Sequence, residues 1–170
     1  MPDPQKDENF LVCTGLAPVV AALLRRIPEA ADTEGSPEAQ ARIHPPPAGP
    51  GLLDPEWSAE WNEWVVPDLH GHFVSALEVV TRDLEQYLVE DEPGQGGLGT
   101  ETFTLHLPMA HADDWLLALN QARLVLAARY QLTEKELSGP LRHRIGSPRD
   151  LALMQIDIYA RFQHLIIEEM

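Results

Sequence analysis

The sequence predicts an all-α fold, a single-domain bundle of about four or five helices with a minor two-stranded element. Three observations lead to this prediction. Apolar residues recur at the 3.6-residue period of a helix over long stretches of the chain. Two helix starts carry a capping residue followed by proline, at Asp54-Pro55 and at Ser147-Pro148. Strand-like alternation, in contrast, is clear in one short stretch, Thr102 to Leu107.

The first helix is predicted over about Leu16 to Ile27, a segment rich in alanine and leucine. Arg25 and Arg26 fall in its last turn, where positive charge interacts favourably with the helix dipole. Pro28 then ends the helix, because proline lacks the amide hydrogen that a helix interior needs. The preceding residues, Phe10 to Cys13, form either a short strand or the lead-in to this helix.

The second helix is predicted from about Pro55 to Glu90, with one side facing a core. Pro67 and Gly71 lie inside the apolar pattern, so we expect either a kink near Trp64 to Asp68 or two helices that meet there. Its three tryptophans are interpreted as core residues rather than as a stacking platform for nucleobases. The apolar positions that define the pattern are Trp57, Trp61, Trp64, Leu69, Phe73, Ala76 or Leu77, Val80, Leu84 and Leu88.

The strand-like stretch Thr102 to Leu107 has one candidate partner, the segment that begins at Phe10. A small two-stranded element is therefore compatible with the sequence. The third helix is predicted after Pro108, with its cap near Asp113 or His111. Apolar residues cover most of its circumference, which indicates a central and largely buried helix.

The fourth helix begins at Ser147-Pro148 and continues almost to the last residue. The chain is divided into an N-terminal segment with a short helix (1–27), a proline-rich linker (28–53) and a helical core domain (54–170). Seven of the fifteen prolines lie between Pro28 and Pro55, which favours a spacer. A glycine-rich stretch at 93–99 is predicted to be a flexible turn.

The charge distribution restricts the classes of partner. The formal net charge is −15, and most of the acidic excess lies in residues 54–101. Such a field repels phosphate backbones and anionic lipid surfaces, so neither nucleic acid nor membrane is expected as a partner. The start of the chain is acidic and has no secretory leader pattern, so we expect a cytoplasmic protein.

Asn120 and Arg123 are the most informative polar residues, because they lie three apart on the otherwise apolar third helix. One interpretation is structural, with Arg123 paired to an acidic residue of the second helix, Asp83 or Glu85. The other is a ligand or partner site formed by these four residues together with Trp115.

Neither a catalytic residue, a cofactor nor a metal site is predicted. His70 and His72 point about 200° apart on a regular helix and cannot share one ion unless the chain breaks at Gly71. The sequence contains no cysteine pair, since Cys13 is its single cysteine, and no His-Glu-x-x-His pattern.

Several motifs carry a resemblance to a known family. They are a tryptophan-rich start at Trp57, Val-x-Pro-x-Leu at 65–69 followed by Phe73, Val-Thr-Arg-Asp-Leu at 80–84, and Asp-Trp-Leu-x-Ala-Leu-Asn-x-x-Arg-Leu-x-Leu at 114–126. Over about residues 54–168 the chain resembles an uncharacterised bacterial domain-of-unknown-function family of small, cytoplasmic, mostly helical proteins. The resemblance implies a fold but no mechanism. Members are often encoded beside the adaptor of the Clp protease, and some carry a regulatory label, which implies an interaction role. The chain departs from the family in its proline-rich insert and at Ala127-Ala128, where a glycine often stands.

These observations favour a non-enzymatic interaction or regulatory protein. In this hypothesis an acidic face formed by Glu56, Glu60 and Glu63 binds a basic protein partner. The alternative is a small-molecule or metal-binding helical bundle, with or without catalytic activity, centred on Asn120 and Arg123. The broad apolar surface of the third and fourth helices also permits a homodimer.

Overall fold

The computed structural model describes residues 9–45, 54–92, 101–139 and 145–170. The strands are β1 (Phe10–Leu16), β2 (Leu88–Glu90) and β3 (Phe103–Pro108). The helices are α1 (Pro18–Arg25), α2 (Ile27–Ala30), α3 (Pro37–Ile43), α4 (Pro55–Glu60), α5 (Val66–Tyr87), α6 (Ala112–Arg129), α7 (Glu134–Leu137) and α8 (Pro148–Glu169). A π-helical turn (Trp61–Val65) joins α4 to α5, and a 3₁₀ turn (Met109–His111) precedes α6.

The prediction of an all-α fold is correct only in part, because the mostly helical chain also contains a three-stranded antiparallel sheet of order β1-β3-β2. The pairing of β1 with β3 is the two-stranded element that the sequence permits. The additional strand, β2, was predicted as the last turn of the second helix. Asp91, the residue after β2, holds this strand against β3, because its carboxylate accepts hydrogen bonds of 2.7 Å from the hydroxyls of Thr102 and Thr104. This interaction joins two segments whose proximity the local pattern cannot indicate.

Helix α6 lies at the centre of the fold and packs against α2, α3, α5 and α8. The prediction of a central, largely buried third helix is therefore confirmed. Two buried polar contacts attach the N-terminal segment and the start of the predicted linker to the same core. The Tyr159 hydroxyl donates to the carbonyl oxygen of Leu23 at 2.8 Å, and Gln121 Nε2 donates to that of Ala31 at 3.1 Å.

The described part of the predicted linker, residues 28–45, is folded rather than extended, which corrects the linker interpretation for these residues. Helix α3 begins after Ser36, whose hydroxyl accepts a hydrogen bond from the amide of Ala39 at 3.3 Å. Ala39 and Ile43 are buried and pack with Val125 of α6. Prolines therefore begin helices here instead of excluding them. Residues 46–53 and the glycine-rich stretch at 93–99 lie outside the described residues.

The predicted second helix is interrupted where its proline lies. Pro67 has no amide hydrogen to give to the carbonyl of Glu63, and the π-helical turn accommodates this defect. The Val66 amide donates instead to the carbonyl of Trp61, five residues back. The expectation of an irregularity near Trp64 to Asp68 is thus confirmed, as a π-helical turn rather than as two separate helices.

The interpretation of the three tryptophans as core residues is wrong, because none of them is buried. Trp57 and Trp64 are 67% and 70% exposed. The core-facing part of α5 begins only at Ala76, and none of the residues of α4 or of the π-helical turn is buried. Helical periodicity identifies an apolar stripe, but it does not indicate which neighbour covers that stripe.

Both predicted proline-containing helix starts are confirmed. The Asp54 carboxylate accepts a hydrogen bond from the Glu56 amide at 3.1 Å, and the Ser147 hydroxyl accepts one from the Asp150 amide at 3.2 Å. None of the helices that the structure describes combines the length and the apolar composition that a bilayer crossing requires.

Candidate functional site

A cleft of about 630 Å³ opens where α6, α7 and α8 meet, and Arg42 of α3 also contributes to its lining. Asn120 and Arg123 both line this cleft. Their spacing of three residues places them on one face of α6, as the sequence predicts. The structure therefore brings together the two residues on which the ligand-site hypothesis is centred.

Arg123 is half-buried and bonded to a neutral partner. Its Nη1 donates to Oε1 of Gln163, and Nε2 of Gln163 donates in turn to the carbonyl oxygen of Leu116 at 3.2 Å. The predicted pairing of Arg123 with Asp83 or Glu85 is wrong. The face of α6 that carries Arg123 packs against α8, whereas both acidic residues lie on α5.

The guanidinium of Arg123 is incompletely satisfied. Its Nε is buried and has no hydrogen-bond partner in the part of the chain that the structure describes. Burial lowers the pKa of Arg123 from its ordinary value, because the charged form loses solvation. A half-buried cation with a neutral amide as its bonded partner is the main electrostatic irregularity of the cleft.

A second arginine of the cleft is fully engaged. Arg149 Nε and Nη2 donate to the two oxygens of the Glu136 carboxylate at 2.9 and 2.7 Å. Thr133 adds hydrogen bonds from its amide and its hydroxyl to the same carboxylate, which forms the capping box of α7. These donors stabilise the ionised form and lower the pKa of Glu136 to about 2, with the Arg149 hydrogen bonds as the largest cause.

The predicted site residues Asp83 and Trp115 form a separate cluster inside the core. Asp83 is 1% exposed, and its Oδ2 accepts a 2.9 Å hydrogen bond from Nε1 of Trp115. The Nδ1 of His111 lies 2.9 Å from the same oxygen. Neither Asp83 nor Trp115 lines the cleft, and Glu85 is exposed elsewhere on α5. The five residues proposed as one site thus occupy three places in the structure.

The structure describes all three residues of the predicted acidic face. Glu56, Glu60 and Glu63 are all exposed, and the exposed tryptophans Trp57 and Trp64 lie beside them. We call residues 54–68, which contain five acidic and no basic residues, the acidic arm. Its glutamates and tryptophans each follow a spacing of four and then three residues, so they form adjacent stripes along the helix.

No local pattern singles out Gln163, Lys135 or Arg42 as site residues. Gln163 follows an apolar pattern on α8 and becomes relevant only when α8 packs on α6. Lys135 and Arg42 are exposed side chains in short helices, and Arg42 lies within the predicted linker. Among the described residues, the structure contains no group of three or more His, Cys, Asp or Glu side chains that could hold a metal ion.

A family model described as "Domain of unknown function (DUF2017)" matches residues 6–170. The resemblance predicted from the tryptophan-rich start and from the motif at 114–126 is thereby confirmed at the level of a family of unknown function. No curated protein and no solved structure gives a significant match.

Proposed function

We propose that this chain, which belongs to the DUF2017 family of domains of unknown function, is a non-enzymatic interaction protein whose acidic arm binds a basic protein partner. The observation that carries this proposal is the exposure of Trp57 and Trp64, at 67% and 70%, on a helix whose glutamates are also exposed. Tryptophan is enriched among the residues that dominate binding energy at protein interfaces.

The arm is suited to recognition by a groove. Trp57, Trp61 and Trp64 provide anchors at the spacing by which an amphipathic helix fills an apolar groove. Glu56, Glu60 and Glu63 run beside them and would meet basic side chains at the rim of that groove. The tryptophans would then supply most of the affinity, while the glutamates would mainly increase the association rate.

The test is affinity capture from a lysate of the source cells, followed by rate measurements with the purified partner. The baits are the wild-type chain, a Trp57→Ala/Trp64→Ala variant and a Glu56→Gln/Glu60→Gln/Glu63→Gln variant. We expect the tryptophan variant to lose the partner. For the glutamate variant and for the wild type in high salt, we expect association to slow by about tenfold while dissociation changes little.

Matched controls remove the same chemistry elsewhere. Val19→Ala/Ile167→Ala removes exposed apolar side chains, which are 48% and 59% exposed in the wild type. Glu34→Gln/Glu38→Gln/Glu134→Gln removes an equal number of exposed carboxylates outside the arm. Both controls should bind like the wild type. The proposal is wrong if the controls weaken binding as much as the arm variants, or if the association rate does not change with salt.

A further inference from the structure

We propose that the cleft between α6, α7 and α8 binds a small organic anion, a molecule with an apolar body and one carboxylate or phosphate group. Arg123 would contact the anionic group, with Arg42 and Lys135 providing further positive charge. This inference is independent of the acidic arm, because no residue of 54–68 lines the cleft. Failure of either proposal therefore leaves the other intact.

Arg123 is a partly buried cation without a charged partner in the described part of the chain. Its Nη1 is held by the neutral amide of Gln163, and its buried Nε has no partner among the described residues. A desolvated cation is costly unless an opposite charge compensates it. A bound anion in the cleft would provide the missing opposite charge for the guanidinium.

The acidic residues of the cleft already accept hydrogen bonds from other groups. Glu136 accepts two hydrogen bonds from Arg149, and Asp157 accepts one of 2.7 Å from Arg161. Asp150 accepts hydrogen bonds from the Ser147 hydroxyl and the Gly146 amide at the start of α8. None of these carboxylates is paired with Arg123.

Three basic side chains of the cleft have no acidic partner in the part of the chain that the structure describes. Within the described ranges, no carboxylate forms an ion pair with Arg42, Arg123 or Lys135, all of which line the cleft. The chain has a formal net charge of −15, so its overall electrostatic field repels anions. These three cations make the cleft locally more favourable for an anion than the rest of the surface.

The other lining residues and the volume of the cleft indicate what the rest of the ligand would be. Leu124, Ala127 and Ala160 are among the apolar lining residues, and the exposed Asn120 supplies an amide donor and acceptor. A volume of about 630 Å³ lies within the range of small-molecule pockets. A wall that combines charged side chains with an apolar patch suits a ligand that is charged at one end and apolar at the other.

The test uses phenyl phosphate, benzoate, the neutral analogue benzamide and inorganic phosphate, each titrated into the full chain at low salt. Binding is followed by calorimetry and by backbone amide NMR shifts. At least one aromatic anion should bind with a dissociation constant of about 1 mM, as expected for a fragment of this size. It should shift amides of α6 and α8 and bind about tenfold more tightly than benzamide or inorganic phosphate. The comparison of benzoate with phenyl phosphate identifies the preferred anionic group.

Variants then connect binding to the named cations. Arg123→Gln should reduce affinity at least about tenfold, and Arg42→Gln and Lys135→Gln about threefold each. The latter two residues are exposed, so their variants should fold even if Arg123→Gln does not. Arg82→Gln, an exposed residue of α5 outside the cleft, makes the same charge change and should have no effect.

Three outcomes would overturn the proposal. The first is that neither benzoate nor phenyl phosphate binds at about 10 mM. The second is equal binding of benzamide, which would mean that charge is not recognised. The third is a loss of affinity in Arg82→Gln as large as that in Lys135→Gln, since this would indicate a general charge effect rather than a site.

Discussion

Trp115 and Asp83 are joined by a 2.9 Å hydrogen bond from the indole Nε1 to the carboxylate Oδ2, with both side chains almost completely excluded from solvent. The bond connects α6 to α5 and lies beside a further contact of Asp83 with His111. Apolar contacts in this core tolerate small shifts, whereas a hydrogen bond between buried groups requires one alignment of the two helices. The pair therefore fixes how α5 sits on α6.

We expect Asp83→Ala to lower the free energy of unfolding by about 2–4 kcal/mol, because the buried indole of Trp115 would lose its acceptor and the partly buried His111 ring its contact. Asp83→Asn should cost less, about 1–2 kcal/mol, since an amide oxygen still accepts from the indole. Urea denaturation of both variants measures this difference. A double-mutant cycle with Trp115→Phe should give a coupling energy of about 1 kcal/mol or more. Strictly additive effects would contradict the role assigned to the pair.

Tyr159→Phe tests the hydroxyl that connects α8 to α1. The hydroxyl donates to the Leu23 carbonyl and accepts from Gln155, so its loss should cost about 1–2 kcal/mol at neutral pH. Burial raises the pKa of Tyr159 to about 12, whereas the unfolded chain ionises near the ordinary value of 10. Its contribution to stability is thus fully present below pH 10 and is lost as the pH rises through about 12.

The stability advantage of the wild type over Tyr159→Phe should therefore fall by roughly 2 kcal/mol between pH 10 and 12, so that Tyr159→Phe is at least as stable as the wild type near pH 12. Denaturation curves at several alkaline pH values measure it. A phenolate absorbance difference between the two proteins reports the ionisation of Tyr159 directly. A Tyr159 that ionises near pH 10 in the folded protein would contradict this account of its burial.

Glu136 should make a contribution to stability that is lost at acid pH, whereas that of Tyr159 is lost at alkaline pH. Its pKa in the folded protein is lowered to about 2, below the ordinary value of 4.5, chiefly by the hydrogen bonds from Arg149. The contribution is present above about pH 4.5 and is lost as the pH falls through about 2. Glu136→Gln should lower the melting temperature at neutral pH and match the wild type near pH 2. Glu134→Gln, in the same helix, is the control and should have the wild-type pH profile.

Gly15 and Gly71 should respond in opposite directions to replacement by alanine. Neither has a described atom within 4 Å of the position that a Cβ would occupy, so sterics with neighbours play no part. Gly15 lies at the irregularity of β1 with φ of +67°, and Gly15→Ala should destabilise by about 1 kcal/mol. Gly71 lies inside α5, where Gly71→Ala should stabilise by about 0.5–1 kcal/mol. Thermal unfolding should therefore show a lower melting temperature than the wild type for Gly15→Ala and a higher one for Gly71→Ala.

Local signals in the sequence predicted the features of the fold that have local causes. The caps at Asp54 and Ser147, the irregularity before Pro67 and the buried character of α6 all follow from the residues that form them. The strand β2 could not be predicted in this way. Its conformation depends on pairing with β3, a partner distant in sequence, and on the hydroxyls that hold Asp91.

For the candidate site, the spacing of Asn120 and Arg123 was sufficient to predict that they share a face. It was not sufficient to predict the neighbour of that face, because four helices pack around α6 and periodicity does not distinguish them. The tryptophans illustrate the same limit. Their spacing indicates a stripe, but only the packed structure reveals that Trp57 and Trp64 remain in contact with solvent.

The hydrogen bond from Tyr159 to Leu23 joins residues 136 positions apart, and this separation has a consequence for synthesis on the ribosome. Helix α1 emerges early, yet the helix that carries Tyr159 follows only after roughly ten seconds or more of further translation. Until then, the apolar side chains of Ala21, Leu23 and Leu24 lack part of their final covering. We expect a high contact order, slow folding and a nascent chain that depends on chaperones which shield apolar segments.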